Sequence, residues 1–190
     1  MKKRIIILPM LLLTISLVCV AQNRVKTHKK GTPVSTSIPL TGPAIVDNHL
    51  AFLGISLNES ATMVKAKLVS KGMKNARNEE GSNNIYLTGA IDGVNSKVML
   101  GVTAENKIYS LHVYDVKVYR LPQAKTRFGN LLAKVESIYG KGTYETNEAD
   151  YKKYIIKTAK GKVVIDLFNE DEMDGASEFY CVAFGLSENW

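Results

Sequence analysis

IYLTGAIDGVNSKVMLGVTAENKIYSLHVYDVKVY, residues 85–119, is the stretch whose reading decides the fold. Apolar and polar residues alternate along it with a period of two, as in strands that bury one face. In its second run Val98, Leu100 and Val102 fall on one side and Lys97, Met99 and Thr103 on the other. In the third, Tyr109, Leu111 and Val113 oppose Ser110, His112 and Tyr114. Asp92-Gly93 and Ala104-Glu105-Asn106 punctuate the runs with residues that tolerate tight turns. The reading is three strands, at 85–91, 96–103 and 107–119, joined as hairpins and therefore antiparallel.

Upstream, Met63, Val64, Leu68 and Val69 recur at helical spacing and predict a helix over 59–70, capped by Asn58 or Ser60 and ended by Gly72. HLAFLGISL (49–57) before it reads as an extended lead-in that packs on the core. Downstream, Leu121-Pro122 opens a helix over 123–139 with Phe128, Leu131, Leu132, Val135 and Ile138 on one stripe and Gly140 behind it. A polar loop follows, then strands at 151–159 and 162–168 joined by Lys160-Gly161, an acidic loop at 169–175 and a last strand at 177–186. The order is a helix and three strands, twice. Neither half buries enough by itself, so the expected fold is α+β: one mainly antiparallel sheet with two helices on one face, a two-layer sandwich with halves at about 50–119 and 120–190.

The chain has 190 residues and a formal net charge of +7, and that charge is unevenly placed. All seven surplus positives precede residue 45, and from 45 to 190 the 18 basic residues equal the 18 acidic ones. A folded domain neutral on balance lacks the basic patch that nucleic acid requires. Lys2, Lys3 and Arg4, a mostly apolar run at 5–18 and Cys19-Val20-Ala21 form the pattern of a secretory signal at 1–21, too short for a comfortable membrane span. Cleavage before Gln22 fits better than acylation of Cys19, because Ser16-Leu17-Val18 departs from the lipoprotein pattern. Residues 22–44, rich in Lys, Thr, Ser, Pro and Gly, read as a flexible basic linker, and 45–190 as a single domain. The expected location is periplasmic or extracellular, with no transmembrane segment once the signal is removed.

FLGISL (52–57), KLVSKGM (67–73), YLTGAIDG (86–93) and SIYGKGT (137–143), set in a doubled helix-and-meander order behind a signal, resemble small secreted Gram-negative proteins with a β-lactamase-inhibitor-protein-like (BLIP-like) tandem fold. The resemblance implies a binding protein, either an enzyme inhibitor or an envelope assembly factor, and carries no catalytic residues. This chain lacks the paired cysteines of disulfide-bonded inhibitors. A cystatin-like or other helix-over-sheet fold is the structural alternative.

The inventory for chemistry is thin. His28, His49 and His112 share no metal-ligand spacing, and no Cys-x-x-Cys occurs, so neither a metal nor a cofactor is expected. Cys181 lies among apolar residues with no His near it in sequence, which is the setting of a small buried hydrophobe. Glu170, Glu172 and Asp174 before Gly175 suggest a calcium loop, but the twelfth position holds Cys181 where a glutamate is required, and a solvated hairpin loop is the plainer reading. The stronger lead is a surface. The strand face opposite the core gathers Tyr86, Met99, His112 and Tyr114, joined by Tyr154 and Tyr180 from the second half, and such a Tyr-rich face suits a protein partner in the cell envelope. The alternatives are a small-ligand or glycan site at the loop end (73–84 and 169–176) and a hydrolase whose fold assembles His112 with a carboxylate.

Overall fold

The computed structural model describes residues 37–38, 40, 42–76, 82–117, 119–169 and 179–188. In chain order the elements are Ser37–Ile38 (β1), Ile45–Val46 (β2), His49–Phe52 (β3), Ile55–Ser56 (β4), Ala61–Ser70 (α1), Lys74–Asn75 (β5), Ile85–Ile91 (β6), Val94–Val102 (β7), Ile108–Asp115 (β8) and Tyr119–Arg120 (β9). Leu121–Tyr139 (α2), Thr143–Asn147 (β10), Lys152–Thr158 (β11), Gly161–Asn169 (β12) and Phe179–Glu188 (β13) follow. The expected signal (1–21), the linker up to residue 36 and the acidic residues 170–178 lie outside the described residues.

A ten-stranded sheet runs in the order β1-β6-β7-β8-β13-β12-β11-β10, with β5 also on β6 and β9 also on β13. Every pair in it is antiparallel except β1 with β6. Asp92 and Gly93 take left-handed backbone (φ 51° and 78°), which is the turn that β6 and β7 need. Two further turns of the same kind, at Asp47-Asn48 and Leu53-Gly54, fold β2, β3 and β4 into a small separate sheet where the sequence suggested only an extended lead-in. The folded unit also begins before residue 45: β1 pairs with β6, and Ile38 and Leu40 are buried in the core.

The strands alternate as expected, and one face takes the whole main core. Leu87, Val98, Leu100, Leu111, Val113, Val163, Ile165, Leu167, Val182, Phe184 and Leu186 form a single cluster with Ala61, Val64 and Leu68 of α1 and Ala124, Phe128, Leu131 and Val135 of α2. Leu50 and Phe52 of β3 enter the same cluster, and the Phe52 ring lies 4.3 Å from that of Phe184, centroid to centroid. The helices and the small sheet therefore cover one side of the large sheet.

Neither helix start carries a side-chain cap, whereas the end of α1 follows local chemistry. At the end of α1 the Gly72 N–H donates to Val69 O and the Met73 N–H to Leu68 O, a paired closure made possible by Gly72 at φ 94°. Its start has no side-chain cap; Ser60 takes a hydrogen bond from Asn106 instead, and Asn106 O receives the Ala61 N–H. Met63 and Val69 do not join the core. They stand outside the Ala61, Val64, Leu68 stripe and are 61% and 42% exposed.

Two further expectations change. The strand at 107–119 breaks after Asp115, with Val116 exposed, and the chain returns as β9 to pair with β13. The cause is Asp115, which accepts bonds from Tyr119 Oη (2.9 Å), Arg127 Nε (2.8 Å) and Arg127 Nη2 (3.1 Å). That trio pins the end of the strand to α2, and after a last bond from the Val116 N–H to Asn95 O the chain leaves β7. The polar loop after Gly140 is an edge strand, β10, whose Thr and Tyr residues favour the conformation but carry no apolar alternation because the strand is largely exposed.

Candidate functional site

The sheet face that carries no helix is built in rows. Register places Tyr86, Met99, His112, Gly185, Val164 and Ile155 in one line across six strands. The next line holds Thr88, Lys97, Tyr114, Ala183, Asp166 and Lys153. Four of the expected residues, Tyr86, Met99, His112 and Tyr114, are thus brought to one surface. Tyr154 and Tyr180 are not. Tyr154 stands in the core row with Ile165 and Phe184, and its hydroxyl bonds Glu136 of α2 and accepts from the Gly142 N–H. Tyr180 shares a face with Val182 and packs against the core. One-residue alternation decides the side, and the pairing of β11, β12 and β13 puts both tyrosines under the helices.

Small residues on the central strand shape this face. Ala183, Gly185 and Ser187 give β13 a low profile between β8 and β12, and the His112 ring leans over it: a Cβ at Gly185 would lie 2.7 Å from His112 Nδ1. His112 and Tyr114 stack at 6.2 Å between centroids, with 20° between their planes. The result is a pocket of about 170 Å³ lined by His112, Tyr114, Lys162, Val164, Asp166 and Phe168 over the β13 floor. Tyr86, two strands from His112 in the same row, is buried and lies outside the pocket lining, with Lys97 Nζ 4.9 Å from its ring centre.

Asp166 is what sequence reasoning missed. Its Oδ1 is buried without a hydrogen-bond partner among the described residues. Lys153, opposite it on β11, is diverted to Glu145 at 2.5 Å. Burial raises the Asp166 carboxyl above its ordinary range, and the Glu145 charge adds to that, against a lowering by Lys153. His112 moves in the direction that keeps it neutral: burial lowers its pKa, and Lys162 lowers it further. The alternating pattern of β12 could have placed Asp166 on the outer face, but nothing in sequence says that Lys153 turns away from it.

The same geometry speaks to the hydrolase alternative. His112 and Asp166 are separated by β13, which puts about 10 Å between their strands, and no hydrogen bond joins them among the described residues. A second histidine–carboxylate pair does form, His49 Nδ1 with Glu188 Oε1, but Asn58 Nδ2 occupies the other ring nitrogen at 3.3 Å. Both nitrogens are therefore engaged. Among the described residues no group of three or more His, Cys, Asp or Glu is arranged to hold a metal, and no helix is long and apolar enough to cross a membrane. Cys181 is buried in β13. The chain matches no family model, and comparison with curated proteins and with solved structures gives no match either.

Proposed function

We propose that this chain is a non-enzymatic binding protein of the cell envelope, exported by its first 21 residues, that holds a protein partner on the helix-free face of the sheet. The occupant is an extended segment of that partner which places one lysine or arginine side chain in the pocket over β13. The observation that carries the reading is Asp166 Oδ1, buried and without a hydrogen-bond partner among the described residues, on a side chain that lines a pocket of about 170 Å³. A buried acceptor without a donor costs free energy, and a partner that supplies the donor recovers it. The pocket is smaller than the roughly 300–1,000 Å³ typical of drug-sized ligands, so a single side chain suits it better. The neutral state favoured for His112 adds no second positive charge beside Lys162 in the lining. The order α1 then β6-β7-β8, and α2 then β10-β11-β12-β13, with the two runs meeting through β8 and β13, supports a tandem fold of the BLIP-like kind.

The test is an NMR titration of the protein with N-acetyl-lysine N-methylamide, and with the norleucine analogue as its uncharged control. The lysine probe is expected to shift amides of 112–114, 164–168 and 183–187 saturably, with the response lost in Asp166→Asn. An equal response in Asp166→Asn, or an equal response to the norleucine analogue, overturns the assignment of a cationic anchor. Envelope proteins retained by the wild type but not by folded Tyr114→Ala, and released by the lysine probe, identify the partner. Retention indifferent to both changes sinks the sheet-face reading.

A further inference from the structure

A second concavity lies on the other side of the molecule, between the β6–β7 turn and α2. It measures about 590 Å³ and is lined by Gly93, Val94, Asn95, Lys117, Tyr119, Gln123, Thr126, Arg127 and Asn130. Its volume falls within the range of small-molecule sites, unlike that of the pocket over β13. No acid is among its lining residues, and Asp92 at the turn is tied to Lys134.

The chemistry converges on Arg127. Its Nε and Nη2 form the forked pair with Asp115, whose side chain is only 3% exposed, and Tyr119 holds the same carboxylate from the other side. A guanidinium has five N–H donors, and this fork uses one edge. The Nη1 hydrogens have no acceptor among the described residues, on a side chain that borders the cleft. The arginine is thus rigid, already neutralised by Asp115 and still able to donate. Around it Asn95, Gln123 and Asn130 have side chains with no hydrogen bond among the described residues, and each amide can both donate and accept. Lys117 adds a cation that lies 5.6 Å from the centre of the Tyr119 ring and makes no ion pair among the described residues.

From this set we infer that the cleft binds an acidic saccharide, a polyhydroxylated ligand carrying a carboxylate. Amides that donate and accept satisfy neighbouring hydroxyls, which are themselves both donors and acceptors. Lys117 and the open edge of Arg127 meet the carboxylate. A purely apolar ligand would strand those donors, and a cation would meet Lys117 and the donor edge of Arg127 with no acidic side chain in the lining to receive it. The site is independent of the sheet face, so either proposal stands if the other fails.

The experiment is an NMR titration of the whole protein with glucuronate, with glucose and acetate in parallel. Glucuronate is expected to shift the amides of 93–95, 117 and 123–130 saturably, with glucose and acetate weaker by about tenfold each, as the loss of one charge-assisted hydrogen bond predicts. Gln123→Ala combined with Asn130→Ala removes two exposed amides that make no bond within the fold, and weakens glucuronate about threefold to tenfold or more. Arg127→Lys keeps the charge and loses the fork; if that variant does not fold, the double amide variant decides. A hyaluronan tetrasaccharide that binds more tightly than glucuronate assigns the site to a chain, and equal binding assigns it to the free sugar acid. No saturable shift, acetate matching glucuronate, or a double variant that binds as the wild type does overturns the inference.

Discussion

The two faces of the large sheet are made by the same strands and do opposite work. Along β13, Val182, Phe184 and Leu186 enter the core, while Ala183, Gly185 and Ser187 on the alternate positions are small and outward. Along β12, Val163, Ile165 and Leu167 are buried against the helices, while Lys162, Val164 and Asp166 line the pocket. The covered face is apolar and interlocked. The other keeps one buried carboxylate oxygen, Asp166 Oδ1, without a hydrogen-bond partner among the described residues, which no stability argument asks for. The difference teaches where constraint other than folding acts.

The largest expected break of this contrast is Phe184→Ala, which removes a fully buried ring packed at a tilt against Phe52 and should lower stability by about 3–5 kcal/mol in chemical denaturation. Tyr114→Ala, its diagonal counterpart on the outer face, should cost no more than about 1 kcal/mol; parity between the two would mean that the outer face is a second core. Next comes Asp115→Asn, which strips the countercharge from Arg127 and should cost about 3 kcal/mol by the same measurement. Burial, and then the neighbouring Asp115 charge, push the Tyr119 phenol up to about 12.

The smallest effect has a sign that sharpens the comparison. Because the Asp166 carboxyl titrates above its ordinary 3.8 in the fold, the folded state holds that proton more tightly than the unfolded chain does. Its contribution is therefore most favourable at acid pH and is lost as pH rises through the folded value. Asp166→Asn should raise the melting temperature at neutral pH, by about 1 kcal/mol or less in stability, with the gain vanishing below the ordinary carboxyl range. A loss of stability at neutral pH would mean that the carboxylate is satisfied in the fold.

Much of this arrangement was readable from periodicity. The β6–β7 hairpin, the body of α2 and the glycine closure of α1 all rest on neighbours within a few residues, which is what local patterns encode. Alternation also separated Tyr86, Met99, His112 and Tyr114 from the core residues. It failed where partners are distant in sequence. Nothing near Tyr154 or Tyr180 announces that β13 pairs with β8 as well as with β12, and without that register their side of the sheet is undetermined. Val116 extends the run of strand-favouring residues and suggests a longer strand, but the core-facing position before it is Asp115, held by Arg127 twelve residues on, and the strand ends there. The pocket likewise needed three strands before it existed.

His112 and Gly185 share one volume, since the imidazole fills the space that a side chain at 185 would take. Over evolutionary time the two positions are bound to change together. A lineage that acquires even alanine at 185 must shrink or turn residue 112, and a lineage with a small residue at 112 is released from glycine at 185. Correlated variation at this pair would trace how long the groove over β13 has been kept open.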